Sequence, residues 1–411
     1  MDKKNKNPNV PNLRFLKFTD EWSKFAVSEL LNTYSTNSLS WDKLSYVEKS
    51  KIKNIHYGLI HNGFKSTIIN GNNQFIPFIN NSFIPKSYTL LQNGDLILAD
   101  ASEDRKDVGR PVEMINVDNQ KIISGLHTIH ARNKTNLIID GFKGFYFQSC
   151  AMKKQIYKVA NGSKIYGISP SSFNELFISI PSKEEQQKIV NLLQKIECRI
   201  EIQIKIIDDC ISYRNAIVDY FFQSLSFDWK RVKLSNVLEE YTELHIKDNS
   251  IIHATLSKDG IFPKTDRYDR DFLVKNDDKK YKVTHLNDIC YNPANLKFGV
   301  ITRNTYGDCM ISPIYITFKI KNDYLPKFIE LLVTRKHFIL KARKYEQGTV
   351  YERMAVNSSD LLSMNILIPS LTIQKRIADI INTIDIKISN EQKLLNLYKA
   401  QKGYLLKNMF I

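Results

Sequence analysis

One phrase occurs twice in this sequence, and it constrains the fold more than any other feature. Residues 178–196 read ISIPSKEEQQKIVNLLQKI, and residues 366–384 read ILIPSLTIQKRIADIINTI. When Pro181 is aligned with Pro369, the two stretches stay in register without a gap to the end of the chain. A long gapless match of this kind indicates an internal duplication.

Two shorter matches lie upstream of the repeated phrase and follow the same order in both copies. WSKFAVSELLNTY, from Trp22, resembles WKRVKLSNVLEEY, from Trp229, and NGDLIL at 93–98 resembles LNDICY at 286–291. The chain therefore consists of two unequal half-copies, each of which opens on a tryptophan and closes on the repeated phrase.

The repeated phrase predicts a short strand followed by a long helix. Pro181 ends the strand, Ser182 is a good N-cap, and Glu185 three residues later completes a capping box. Ile200 to Ile206 alternate with polar residues as a strand would, but the second copy loses the alternation and keeps a four–three helical spacing. The residues that we assign to this scaffold are Pro181, Gln186, Ile189, Ile196, Ile200, Pro369, Gln374, Ile377, Ile384 and Ile388.

Each predicted helix runs for about 40 residues, or roughly 60 Å, and its apolar seam needs a partner. The other copy is the economical partner, which predicts an intramolecular antiparallel coiled coil. Both seams carry a polar residue at one step (Gln203 and Glu391) and a basic residue at the next break (Arg214 and Lys402). Polar seam residues can set the register, but the pattern leaves open that these four are partly exposed flank positions.

The expected fold class is α+β, with two mixed α/β domains separated by the paired helices and related by a pseudo-twofold repeat. We expect a disordered tail at 1–14, a first domain at 15–178, the first helix at 179–225, a second domain at 226–366 and the second helix at 367–411. Short apolar runs broken by turns indicate irregular, strand-rich domain cores.

The charge balance favours a polyanionic partner. The chain has 59 basic and 43 acidic residues, a formal net charge of +16, and such a charge attracts nucleic acid over distance. No apolar run is long enough to span a bilayer, so no membrane partner is expected. Five cysteines without a CxxC pair favour free thiols and a cytoplasmic location.

Basic and polar side chains are concentrated in loops and short stretches of both domains. Arg and Lys can bond guanine, Asn can bond adenine, and both cations can bind phosphates. For any single residue, surface charge without DNA contact stays an open alternative. The candidates for DNA binding are Arg105, Lys106, Arg110, His127, Arg132, Lys134, Lys153, Lys154, Lys164, Lys258, Lys264, Arg267, Arg270, Asn295, Lys297, Arg303, Lys344 and Arg353.

The motifs of common enzymes are not found in this sequence. There is no Gly-x-Gly loop for a dinucleotide or a methyl donor, and the P-loop spacing at Gly58/Gly63 lacks its lysine. YNPAN at 291–295 lacks the second proline and the aromatic residue of an adenine methyltransferase loop. His56 and His61 have no neighbouring cluster of ligands. We therefore predict no catalytic residue, no metal site and no cofactor.

Taken together, these features resemble the specificity subunit of type I restriction–modification systems. The resemblance rests on PNLRF…DEW at 11–22, the two Trp-initiated segments, NGDLIL at 93–98 and, above all, the strand–Ile-Pro–helix with Glu185, Gln186 and Ile189. The second copy departs from the family pattern, because Ile373 stands where the family favours Glu.

The resemblance implies a non-catalytic subunit whose two domains are target-recognition domains, each reading one half of a split double-stranded DNA site. It implies that the helices set the spacing and dock two modification (methyltransferase) subunits, and it leaves open whether restriction (motor–nuclease) subunits join them. Two other functions stay open at this stage: a stand-alone DNA-modifying enzyme, such as a diverged methyltransferase or nuclease, and a coiled-coil adaptor that binds no nucleic acid.

Overall fold

In the computed structural model, the repeated phrase folds into a strand followed by a long helix, as predicted. The first copy forms β13 (Phe177–Ile180) and α5 (Lys183–Ser224, 42 residues), and the second forms β24 (Asn365–Ile368) and α9 (Leu371–Asn408, 38 residues). The α+β class and the two long helices are therefore confirmed. The run from Ile200 to Ile206 is helical, so the four–three spacing was the correct guide to its structure.

The structure describes residues 9–47, 50–224, 229–246, 251–264, 280–347 and 354–411. It divides into unit 1, residues 1–206 with 391–411, and unit 2, residues 207–390. Both boundaries fall inside the long helices. Each unit therefore contains one block of short strands together with part of α5 and part of α9.

Unit 1 begins with β1, which pairs antiparallel with β13. A mixed sheet has the order β2-β11-β7-β9-β5, and a second has the order β10-β4-β6-β3; β8 pairs with β12. Besides β13, the strands of unit 1 are β1 (Ser23–Ala26), β2 (Leu31–Tyr34), β3 (Leu44–Ser45), β4 (Ile52–Ile55), β5 (Ile68–Asn70), β6 (Phe78–Ile79), β7 (Leu96–Ala99), β8 (Ala101–Ser102), β9 (Pro111–Ile115), β10 (Lys121–Ser124), β11 (Thr128–Asn133) and β12 (Tyr166–Gly167). Its short helices are α1 (Val27–Leu30), α2 (Phe142–Gln148), α3 (Cys150–Val159) and α4 (Pro170–Asn174).

Unit 2 has a comparable set of elements in a different arrangement. Its sheets have the orders β15-β23-β20-β21 and β16-β19-β22-β17-β18, and β14 pairs antiparallel with β24. The strands are β14 (Lys230–Lys233), β15 (Leu238–Tyr241), β16 (Leu244–Ile246), β17 (Ile252–Ser257), β18 (Gly260–Pro263), β19 (Lys280–Thr284), β20 (Ile289–Tyr291), β21 (Ile301–Arg303), β22 (Cys309–Ile311) and β23 (Ile316–Ile320). The short helices are α6 (Pro326–Thr334), α7 (Lys336–Ala342) and α8 (Ser358–Ser363).

A buried glutamine joins the domain to the long helix in the same way in both units. The side-chain oxygen of Gln186 accepts a hydrogen bond from the Ile139 N–H at 3.0 Å, and its amide donates to the carbonyl of Pro181 at 3.0 Å. Gln374 repeats this joint with the Leu325 N–H at 2.9 Å and the carbonyl of Pro369 at 3.0 Å. Both side chains are fully buried, so each bond is shielded from water.

The two tryptophans that open the half-copies lie in equivalent aromatic clusters. Trp22 packs against Phe142 and against Phe410 at the end of α9, with ring centroids 6.3 and 6.4 Å apart. Trp229 packs against Phe328 and against Phe222 at the end of α5, at 5.8 and 5.2 Å. Each block is therefore closed by the end of the long helix that the other copy supplies.

The third sequence match forms the same turn in both units. Gly94 and Asn287 both have φ of +77°, a left-handed conformation that favours Gly and Asn. The next residue accepts a backbone hydrogen bond in each turn: Asp95 from Gln92 at 2.8 Å and Asp288 from His285 at 2.6 Å. The weakest of the three sequence matches thus reflects a shared backbone geometry.

The polar seam residues of the long helices are paired. Gln203, 4% exposed, donates to the Glu391 carboxylate at 2.6 Å. In unit 1, Lys402 lies 2.6 Å from Glu197, and in unit 2, Arg214 pairs with Asp385. These contacts favour the register interpretation over the exposed-flank one, because each polar group meets a partner on the facing helix.

The predicted capping box at the start of α5 is only half formed. The Ser182 hydroxyl accepts from the Glu185 N–H at 3.4 Å, as an N-cap does. The Glu185 carboxylate does not return to residue 182 but takes two hydrogen bonds from Arg14, both at 2.7 Å. Two hydrogen bonds between oppositely charged groups are stronger than the single carboxylate–backbone hydrogen bond that they replace.

The residues on either side of position 14 pack into the core of unit 1. The Leu13 N–H donates to the Asn408 carbonyl at 2.9 Å, and Leu13 and Phe15 pack against the main core. Leu13 lies in the tail predicted at 1–14 and Phe15 in the domain predicted from residue 15, so residues on both sides of that predicted boundary contact the same core. In the part of the chain that the structure describes, no helix is both long and apolar enough to cross a membrane.

Candidate nucleic-acid interface

Unit 1 contains an open cleft of about 730 Å³ whose lining is rich in aromatic and histidine side chains. We call it the aromatic cleft and define it by Trp41, His56, Tyr57, His61 and His127. These side chains come from the turn after residue 40, from the segment that follows β4 and from the turn that leads into β11. Segments far apart in sequence therefore build one surface.

The rings of the aromatic cleft form a continuous row. Ring centroids are 5.2 Å apart for Trp41 and His56, 4.6 Å for His56 and Tyr57, and 5.3 Å for Tyr57 and His127. Trp41 remains 44% exposed although it lies in this row. Exposed flat rings can stack on bases.

Hydrogen bonds orient two of the histidines. The Nδ1 atom of His56 accepts from the Gly58 N–H at 3.1 Å, and burial, aided by His127, lowers the pKa of His56. A neutral ring that accepts at Nδ1 carries its proton on Nε2 and can donate there. His127 has a left-handed backbone with φ of +54°, and its Nδ1 lies 3.3 Å from Asp100, whose pKa is raised by burial.

The rim of the aromatic cleft mixes acidic and basic side chains. Glu103, Asp104 and Asp107 line it, and exposed Lys106 and Lys164 are adjacent in sequence to lining residues. Carboxylates accept hydrogen bonds from the amino group of cytosine but repel phosphates. The acidic rim therefore suits base edges, and the flanking lysines suit the backbone.

Three arginines that we predicted as DNA contacts are held by the protein itself. Arg105 donates to the Tyr157 carbonyl at 2.9 Å and lies 4.1 Å over that ring. Arg110 donates to the His61 carbonyl at 2.6 Å. Arg132 makes two bonds to the buried Asp95, at 2.8 and 2.7 Å. These contacts favour structural roles, since binding a base would break them.

The other described candidates in unit 1 are available at the surface. Lys134, Lys153 and Lys154 are exposed, as are Lys106 and Lys164 beside the aromatic cleft. His127, with 51% of its side chain exposed, lies inside that cleft. The structure thus separates a candidate inside the cleft, His127, from candidates on the exposed surface.

The candidates in unit 2 are more dispersed. Lys258, Lys297 and Lys344 are exposed, and Lys264 lies 6.0 Å over the ring of Tyr281. Asn295 is half-buried in a 3-10 helix at Pro293–Phe298. Arg303 pairs with Glu330 at 3.0 Å and donates to Asn287 at 2.7 Å, which favours a structural role. Arg267, Arg270 and Arg353 lie outside the described residues.

Unit 2 has a different open cleft of about 520 Å³ at the repeated turn. His285, Leu286, Lys319 and Lys321 are among the residues that line it. Both ring nitrogens of His285 face carboxylates at 3.0 Å, Glu243 and Asp308, which raise its pKa against the opposing effect of burial. The clefts of the two units therefore differ in composition, and neither was predicted as a unit from the sequence.

The sequence reasoning missed the aromatic members of the first cleft. Trp41 and Tyr57 were not singled out, and His56 and His61 were considered only as metal ligands. Among the residues that the structure describes, no group of three or more His, Cys, Asp or Glu could hold a metal ion. A tryptophan in the polar stretch SLSWDKLSY was the signal that could have indicated an exposed ring.

Comparison with known families gives one match, over residues 19–209, to the type I restriction modification DNA specificity domain. Residues 19–209, just under half of the chain, therefore form a domain of this family. This match makes DNA recognition the role of the matched region. A comparison with curated proteins found no match.

Solved structures show the same fold at low sequence identity. The type I restriction–modification system S subunit from M. genitalium matches with a TM-score of 0.52 and 14% identity, covering 98% of this chain and 99% of that chain. A chain solved for the complex assembly and conformational transition of the type I R-M system matches with a TM-score of 0.58 and 13% identity, covering 94% and 96%. The specificity fold therefore extends over both halves of this chain, including the half beyond residue 209.

Proposed function

We propose that each unit reads one half of a split double-stranded DNA site, and that α5 and α9 set the spacing and dock two modification subunits. The observation that carries this proposal is a repeated scaffold around different surfaces. The Gln186 and Gln374 joints, the β1–β13 and β14–β24 pairs and the tryptophan clusters recur. Duplicated supports suit two like partners, whereas unlike clefts suit half-sites of different sequence.

In unit 1, we propose that bases are read at the aromatic cleft. Trp41 and Tyr57 would pack against thymine methyl groups, and His56 and His127 would bond base edges. The acidic rim supports contact with bases rather than phosphates. The exposed lysines beside the cleft, Lys106 and Lys164, would position the backbone. We also propose that the protein acts in the cytoplasm, as its free cysteines predict, because a DNA target is consistent with that location.

Methylation of genomic DNA tests the whole proposal. The full chain is co-expressed with a modification subunit of a type I system, and N6-methyladenine is mapped by single-molecule sequencing. The proposal predicts one split motif with a methylated adenine in each half. A stable complex that methylates no motif would contradict DNA recognition by this chain, and methylation by the chain alone would contradict its non-catalytic role.

A domain exchange tests the assignment of one half-site to each unit. Residues 229–366 are replaced by the equivalent segment of a related specificity subunit, while Trp22 and the α5 and α9 segments are kept. The methylated motif should change in one half only. A change in both halves would contradict the modular assignment, and an exchange of residues 22–178 provides the reciprocal control.

A further inference from the structure

A second cleft in unit 1, of about 280 Å³, is lined by five basic side chains and one acidic one. We call it the lysine cleft. Its cations come from the loop before β9, from α3 and from the last third of α9, segments that are remote in sequence. They are Lys106, Arg110, Lys153, Lys399 and Lys402, and the acidic residue is Asp107.

Three of these five cations are available for a ligand. Arg110 donates to the carbonyl oxygens of His61 and Phe64, and Lys402 pairs with Glu197 at 2.6 Å. The side chains of Lys106, Lys153 and Lys399 are exposed, and none forms an ion pair with a carboxylate of the described residues. Three unpaired ammonium groups around one small cleft form a site for an anion.

A glycine in the wall of the lysine cleft gives an independent indication of a ligand. Gly403 lies inside α9, where glycine costs stability relative to alanine. A Cβ added at this position would meet no described atom within 4 Å, so the packing of the chain does not require glycine here. The missing side chain instead leaves the helix backbone open to close approach from the cleft.

The lysine cleft adjoins the aromatic cleft, because Asp107 lines both. The loop at 104–110 therefore separates a surface suited to bases from a surface suited to phosphates. We infer that the lysine cleft binds the phosphate backbone of the DNA that unit 1 reads, with Lys399 and Gly403 of α9 forming part of the contact. This inference rests on the proposed function, and it makes α9 a DNA-binding element as well as a scaffold.

Salt-dependent binding of a duplex tests the inference. The probe is a 40-base-pair random-sequence duplex. Its dissociation constant from the full chain is measured over a range of salt concentrations. Lys399→Gln should weaken binding about five- to tenfold and reduce the slope of log K against log salt by about one. The triple variant, which combines Lys399→Gln with Lys106→Gln and Lys153→Gln, should reduce that slope by about two to three. Lys393→Gln is the matched control, because Lys393 is exposed on α9 and does not line the cleft.

Substitution of Gly403 separates ligand approach from folding. Gly403→Ala and Gly403→Gln should leave the melting temperature unchanged or higher, because both residues favour a helix. Gly403→Gln should nevertheless weaken duplex binding about fivefold, since its side chain occupies the space in the cleft. Unchanged binding by a folded Gly403→Gln chain would contradict close approach at this position.

The outcomes distinguish this inference from the proposed function. If the triple lysine variant binds the duplex as tightly as wild type and with the same salt slope, the inference is overturned and DNA recognition is left intact. Failure of the wild-type chain to bind the duplex even at low salt would overturn both. A loss of affinity shared equally by Lys393→Gln would show a diffuse charge effect and would also overturn the inference.

Discussion

Gln203 donates a hydrogen bond to the Glu391 carboxylate at 2.6 Å, and the two residues hold the same position in the two copies of the repeated helix. Glu197, which precedes Gln203 in α5, pairs with Lys402, which follows Glu391 in α9, so the two helices run antiparallel. The ion pairs agree with this arrangement. Lys402 with Glu197 and Arg214 with Asp385 are the same pair with the two copies exchanged. The two copies of the repeated helix, α5 and α9, therefore pair with each other.

Loss of the Gln186 joint should destabilise unit 1. Gln186→Ala leaves the Ile139 N–H and the Leu137 and Pro181 carbonyls without their buried partner, which should cost about 2–4 kcal/mol in the free energy of unfolding. Urea denaturation measures the change. Gln187→Ala is the control, since Gln187 is exposed and should change stability by less than about 0.5 kcal/mol. Equal effects of the two variants would contradict the structural role of the joint.

Asp95 should make the stability of the chain dependent on acid pH. Burial raises its pKa, but hydrogen bonds from Arg132 and His130 outweigh burial, so the pKa lies below its ordinary value. A lowered carboxyl pKa stabilises the folded chain above the unfolded value of about 3.9, and this contribution is lost as pH falls through the folded pKa.

The variant Asp95→Asn measures this contribution. It should cost about 3 kcal/mol near neutral pH, because Arg132 loses a buried partner. The difference in unfolding free energy between wild type and Asp95→Asn should be constant from about pH 7 to pH 5 and should shrink below about pH 4. A difference that stays constant down to pH 3 would show that the carboxylate charge is not what stabilises this turn.

Two histidines should titrate on opposite sides of the ordinary value of about 6.5. Glu243 and Asp308 raise the pKa of His285, whereas burial and His127 lower that of His56. The stability that the charged His285 contributes should be present below about pH 6.5 and lost as pH rises through its folded pKa. NMR titration measures both values, with His56→Gln and His285→Gln to assign the signals. The reverse order of the two values would contradict the contacts described here.

Trp41 and Trp22 should separate DNA binding from stability. Trp41→Ala removes an exposed ring of the aromatic cleft and should weaken binding of the cognate site about tenfold, with little change in melting temperature. Trp22→Ala leaves a cavity beside Phe142 and Phe410 and should cost about 3–5 kcal/mol. Phe75→Ala, exposed but outside the aromatic cleft, is the control for loss of a surface ring. Unchanged cognate binding by Trp41→Ala would exclude the cleft as a base-reading surface.

Much of the scaffold could be predicted because its signals are local. The heptad-like spacing of Ile189, Leu193 and Ile196 indicates a helix wherever the chain lies, and each of these residues is buried as expected. The match between NGDLIL and LNDICY predicted a shared element, and the structure shows a shared turn. The Glu185 half of the predicted capping box does not form, because the Glu185 carboxylate binds Arg14, 171 residues away in sequence.

The candidate interface could be predicted only in part, because exposure and pairing are tertiary properties. Arg132 looked like a reader of guanine, but a buried carboxylate 37 residues away binds its guanidinium. Lys399 was unremarkable in a lysine-rich helix until the fold placed it beside Lys106 and Lys153. Residue type reports what a side chain is able to bind, and only the surrounding chain decides whether it is free to bind it.

Local sequence patterns were sufficient to predict a duplicated scaffold with two long helices and two dissimilar blocks. Periodicity, capping residues and repeats are written in neighbouring positions, so no tertiary information is needed to find them. Tertiary structure alone decided which half of each helix completes which unit and which rings and lysines share a cleft. Those choices depend on contacts between segments far apart in the chain, such as Tyr146 with Ile411, 265 residues later, and such contacts leave no local pattern in the chain.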